Sequence, residues 1–273
     1  MRLLPYLLTG LAATTLWTAC GPKTSEEENT ETAAATPQYP IEKDGLTLSV
    51  LQASPAFDDA KLALKSAKPD EKDAFTFDFE VQNYALGAQT EAQPAGLIAN
   101  SPMGQHLHFI VDNAPYSAHT ETRITQPLTP GNHVILAFPS RSYHESLKNP
   151  NAYVLTQYKV GEGNAEQVDL TRPHLFYSRP KGAYIGKDTE RILLDFYLVN
   201  THLSPDGHSV RATINGTEFL FTEWLPYVVE GLPLGEVTFK LELLDASGNL
   251  VPSPFNPVER MITLEAEKQA GEA

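Results

Sequence analysis

His106, His108, His133 and His144 are gathered into one stretch of the chain, half of its eight histidines. The run Gln105-His106-Leu107-His108-Phe109-Ile110-Val111 reads as a β-strand. Residues two apart on a strand share a face, so His106 and His108 point the same way, opposite Leu107, Phe109 and Val111 on the core face. Two imidazoles placed like this can reach one Zn²⁺ or Cu²⁺ ion, which then needs a third donor. The connection from Pro139 to Asn151 supplies one in His144, beside Glu145, and is expected to share a pole with the start of the His106 strand. His133 opens the penultimate strand and is expected at the other pole, about 20 Å away for a short strand. The candidate metal ligands are therefore His106, His108 and His144. The competing reading is a solvated or hydrogen-bonded histidine face.

The same loop carries Arg141, Tyr143, His144 and Glu145, whose aromatic, cationic and acidic groups suit recognition of a protein, peptide or glycan. A long insertion, Gly87 to Met103, is expected at that pole too. Catalytic patterns are missing. There is no Gly-x-Ser-x-Gly and no phosphate-cradling glycine loop, and His144-Glu145-Ser146-Leu147-Lys148 lacks the second histidine of a zinc-protease helix. Asp58-Asp59 and Asp70-Glu71 read as solvated loop acids rather than a glycosidase pair. No enzyme is expected.

The elements that must position these side chains are strands. Val237, Phe239, Leu241 and Leu243 alternate with Glu236, Thr238, Lys240 and Glu242, while helical periodicity is largely absent. An internal repeat divides the chain. Phe77 to Asn83 matches Leu194 to Asn200, Gly104 to Asn113 matches Gly207 to Gly216, and Leu128 with Gly131 matches Leu232 with Gly235, in the same order. The second repeat has only Ser204-Pro205-Asp206 where the first has its insertion, and Ser209 and Arg211 where the first has His106 and His108. Short strands punctuated by 21 prolines and 17 glycines make the fold class all-β, two tandem immunoglobulin-like β-sandwiches. They are expected at 44–162 and 165–265, with the second able to fold alone and a disordered tail at 266–273.

The only cysteine, Cys20, follows a basic start at Arg2 and an apolar run from Leu3 to Ala13. Residues 1–19 therefore read as a signal peptide. The string Leu16-Trp17-Thr18-Ala19-Cys20 resembles the lipobox of bacterial lipoproteins, which implies an acylated Cys20 as the mature N-terminus. Residues 20–43 read as the lipidated cysteine and a disordered tether. Within it, Ser25-Glu26-Glu27-Glu28 is similar to the acidic cluster of surface-exported lipoproteins in Bacteroidota, or is simply a solvating linker. Gly104-x-His106-x-His108-Phe109 with Val111-Asp112, then Gly131-x-His133 and Ala137-Phe138, resembles a family of uncharacterised periplasmic immunoglobulin-like domains over about one hundred residues.

A net charge of -14 makes nucleic acid and anionic lipid surfaces unfavourable partners. The expectation is a lipid-anchored binding or scaffold protein without a cofactor, on the periplasmic or cell-surface face of the outer membrane and held to the membrane by its lipid. The alternative is a copper- or zinc-binding protein of the same compartment.

Overall fold

The computed structural model describes residues 38–70, 74–161 and 167–267. Cys20, the expected signal peptide, most of the expected tether, the junction at 162–166 and nearly all of the expected tail lie outside these residues. Strands β1 (Ile41–Lys43) and β2 (Leu46–Val50) form a hairpin closed by Asp44 and Gly45, both with positive φ. This corrects two expected boundaries. The tether does not run as far as residue 43, because 41–43 is strand. Nor do residues 46–50 open the first sandwich. Leu46 and Leu48 alternate with Thr47 and Ser49, and this one-sided strand adds to the sheet of the second sandwich, where Leu48 is fully buried.

The first sandwich packs a sheet of β3 (Lys61–Pro69), β4 (Ala74–Gln82) and β7 (Arg123–Pro127) on a second sheet. That second sheet has the order β6 (Ser117–His119), β5 (His106–Val111), β8 (Gly131–Ser140), β9 (Val154–Val160). Phe77, Phe79, Leu107, Phe109, Ile124 and Ile135 fill the space between them.

The second sandwich repeats this plan. Strands β10 (His174–Arg179), β12 (Arg191–Val199) and β15 (Tyr227–Glu230) correspond to β3, β4 and β7. Strands β14 (Thr217–Phe221), β13 (Ser209–Ile214), β16 (Gly235–Leu244) and β17 (Val258–Glu265) correspond to β6, β5, β8 and β9. The hairpin β1–β2 extends the first of these sheets beyond β15, and β11 (Ala183–Ile185) pairs parallel with β17 in the second. The repeat extends to backbone detail, since Asn83 and Asn200 end equivalent strands in the same left-handed conformation.

The β5–β8 sheet does not turn its outer face to water. Ile110, Val134, Leu136 and Phe138 pack against Phe176, Tyr197, Val199 and Phe255 of the second sandwich, forming a further core between the two. Central strands are thus covered on both faces, which explains the unbroken apolar runs Val134 to Phe138 and Ile192 to Leu194, where alternation disappears.

Candidate metal centre

As the sequence predicts, Leu107 and Phe109 face the core of the first sandwich while His106 and His108 share the opposite face. That face meets the second sandwich, so both imidazoles are 0% exposed. His144 comes from the turn after β8, which closes with an isolated bridge between Ser140 and Ser146 and a hydrogen bond from His144 N to Arg141 O. A φ of 70° at His144 lies in the left-handed region, uncommon for a residue with a Cβ. The surrounding structure enforces it. Thr90 and Ser142 exchange hydrogen bonds, Thr90 N to Ser142 Oγ and Ser142 N to Thr90 Oγ1, so the insertion braces the turn. From the other side Asp195, on β12, accepts from Ser146 N at 3.1 Å and from Lys148 Nζ at 2.6 Å.

This scaffold brings the three histidines together. His106 Nε2 stands 3.1 Å from His108 Nε2 and 3.1 Å from His144 Nδ1, and all three donor atoms lie within 4.8 Å of one another. The Gly104 carbonyl, 2.7 Å away, fixes the His106 tautomer: a carbonyl can only accept, so Nδ1 carries the proton and Nε2 presents a lone pair. Gly104 has to be glycine. Its φ is +76°, and a Cβ there would lie 2.4 Å from the Gly87 oxygen. A metal ion at about 2.0–2.1 Å from each nitrogen would hold them about 3.3–3.5 Å apart, near the two 3.1 Å separations that His106 makes.

The groups around the cluster were not anticipated from the sequence. His108 Nδ1 lies 3.2 Å from Ser178 Oγ on β10, an outer hydrogen bond that orients the ring. Tyr116 stacks on His108 with centroids 3.6 Å apart, and its hydroxyl is 3.2 Å from His144 Nδ1. Ser178 is the irregular residue where the β10–β12 register shifts between Tyr177 and Arg179. In an unbroken strand Ser178 and Arg179 would face opposite sides. Here Ser178 meets His108 while the Arg179 guanidinium lies 5.5 Å from the Tyr116 ring centre. Lys181 approaches the same ring at 4.3 Å and donates to the Tyr116 carbonyl.

On balance these surroundings favour neutral imidazoles, although the Gly104 carbonyl acts the other way on His106. Burial, first of all, pushes the His106, His108 and His144 pKa values below the usual histidine range, and the positive charge of Arg179 and Lys181 pushes the same way. Burial also raises the Tyr116 hydroxyl, keeping it a phenol.

The other loop residues expected to recognise a ligand are placed differently. Arg141, Tyr143 and Glu145 are buried. Arg141 pairs with Glu145 at 3.2 Å and donates to the Pro55 carbonyl, Tyr143 donates to Ser54 Oγ, and Ser54 in turn donates to Glu145. These three side chains form a polar network with residues 54–55, and Arg141 and Glu145 also line an open cavity of about 740 Å³ with Ser54, Phe57 and Lys148. Ile98 of the insertion joins Leu51, Tyr143, Leu193 and Val228 in an apolar cluster. Only His144 of the four reaches the histidine cluster. His133, excluded from the site, bonds instead to Asp112 at 2.6 Å and to the Thr129 carbonyl at 2.8 Å.

No family model matches the chain, and no curated protein does. Among solved structures it is similar to the fibronectin(III)-like modules of Clostridium thermocellum CbhA, at 10% identity, a TM-score of 0.28, and coverage of 35% of this chain and all of that one. The central fibronectin-III array of RIM-binding protein matches at 10% identity and TM-score 0.26, over 77% of this chain and 69% of that one. A Bacteroides ovatus protein of a mixed-linkage glucan utilization locus, SGBP-B, solved with a mixed-linkage heptasaccharide, matches at 10% identity and TM-score 0.21. This chain spans 47% of that one. The strand order and the two sandwich cores define this chain as a tandem immunoglobulin-like β-sandwich protein.

Proposed function

We propose that this is a lipid-anchored extracytoplasmic binding protein whose ligand is a transition-metal ion, copper or zinc, held by His106, His108 and His144. One observation carries the reading: ring nitrogens of three buried or nearly buried histidines converge to within 4.8 Å of one another, where a single metal ion could bind all three. The outer partners support it. The Gly104 carbonyl and Ser178 hydroxyl engage the far nitrogens of His106 and His108, as second-layer groups do around bound metals. The role is one of holding the ion: Tyr116 and Phe138 wall the cluster, and among the described residues no carboxylate joins it.

The test is titration of the full-length protein, purified in detergent, with Zn²⁺ in air and with Cu⁺ under anaerobic reducing conditions. One ion per chain is expected, with His108→Ala weakening binding at least 100-fold. His144→Ala, a change on a loop rather than on a central strand, should do the same in a variant that melts normally. Absence of binding, or binding indifferent to both changes, overturns the reading. The anchor is tested separately. Cys20→Ser should move the protein out of the membrane fraction, and a variant that still sediments with membranes after a high-salt wash would exclude lipidation there.

A further inference from the structure

From the charges around the cluster we infer that the ion it selects is monovalent copper, in preference to Zn²⁺ or Cu²⁺. This rests on the metal-binding reading above and adds the charge of the ion to it.

The argument starts from the ligands. Three imidazoles bring no negative charge, so nothing in the donor set offsets a cation. The next layer adds positive charge. Arg179 is buried, donates to Tyr184 Oη at 2.9 Å and leaves its Nε without a hydrogen-bond partner. Lys181 donates to a backbone carbonyl. Among the described residues neither forms an ion pair. Both sit against the ring of Tyr116, which itself lies directly on His108. The carboxylates in the neighbourhood are committed elsewhere, Asp195 to Lys148 and Glu145 to Arg141.

An ion in the cluster therefore feels the buried Arg179 charge through protein and the exposed Lys181 charge at the edge of solvent, and the repulsion doubles from a monovalent to a divalent ion. Divalent zinc in a three-histidine site also takes a fourth ligand, ordinarily water or hydroxide. Here the space beside His108 and His144 is occupied by the neutral phenol of Tyr116, a poor donor. A monovalent d¹⁰ ion is content with three neutral nitrogens. Charge and coordination number point to the same ion.

Full-length protein in detergent is assayed against two chromophoric chelators, one for Cu⁺ under anaerobic ascorbate and one for Zn²⁺. Cu⁺ is expected to bind at least 100-fold more tightly than Zn²⁺. Lys181→Gln, which removes an exposed charge, should tighten Zn²⁺ several-fold and Cu⁺ by less. Arg179→Gln should do so more strongly if it folds. Zn²⁺ binding as tight as Cu⁺, or a preference that Lys181→Gln leaves untouched, overturns this inference while the metal site stands. Failure of both ions to bind removes the site itself.

Discussion

At the scale of single residues, the cluster depends on a backbone oxygen that only glycine can place. Gly104→Ala should destabilise the protein by about 2 kcal/mol or more, because the new Cβ would press on the Gly87 carbonyl at a φ that alanine disfavours. The same variant should bind metal at least tenfold more weakly, since Gly104 O orients His106. Chemical denaturation and a metal titration of the one variant check both. His133 gives a second, independent prediction. Burial opposes its protonation, but the Thr129 carbonyl and the Asp112 carboxylate outweigh burial, and its pKa is raised. The folded state thus holds the proton more firmly than the unfolded chain. The resulting stability is fully present below about pH 6.5 and is lost as pH rises through the raised folded value. Asp112 is exposed to solvent, and the contribution of the pair should stay under about 1 kcal/mol. Melting wild type and His133→Gln across pH 5 to 9 should show wild type ahead at low pH and the gap closing at high pH. A constant gap would refute the assignment. The convergence of His106, His108 and His144 was readable because a spacing of two on a strand is a strong constraint and His144 lies in the neighbouring loop. Ser178 and Arg179 were not, because a register shift leaves no mark on periodicity and their partner is a strand far away in sequence.

Among the elements, β2 shows most clearly where sequence reading stops. Its alternation is plain in Leu46-Thr47-Leu48-Ser49, so that a strand exists there is legible. Which sheet it joins is not, since the free edges of both sandwiches offer the same ladder of backbone groups. The choice is made by side-chain burial, with Leu48 opposite Val229 in a closed core. Leu48→Ala should therefore cost about 2–4 kcal/mol, comparable to a truncation in the middle of the second sandwich and well above one on an edge strand. Equilibrium unfolding decides, and a loss below about 1 kcal/mol would mean that the hairpin is only loosely attached. The repeat was legible for the opposite reason: left-handed positions at Asn83 and Asn200, and strand-opening glycines at Gly131 and Gly235, are fixed by local chemistry that survives sequence divergence.

For the whole molecule, the sandwiches share more than a linker. The core formed by Ile110, Phe138, Phe176, Tyr197 and Phe255 belongs to both, the hairpin at 41–50 completes the second, and Asp195 holds the His144 turn of the first. Residues 165–265 alone would leave that core open to water and the edge of β15 bare. This fragment, expected from the repeat to fold by itself, should instead aggregate or lack a cooperative melt. A chain spanning 38–267 should unfold in one transition seen identically by tryptophan fluorescence and far-UV circular dichroism. Two separated transitions would show that the shared core contributes little.

The position of β2 also sets an order of events. A chain emerging N-terminus first, from a ribosome or through an export channel, presents Leu46 and Leu48 early, yet their partners in β15 follow about 180 residues later. Until then an apolar strand with a bare edge waits unpaired, the kind of segment that invites pairing with the wrong chain. The second sandwich closes around a strand made before the first, so its fold can be completed only after β15 has arrived.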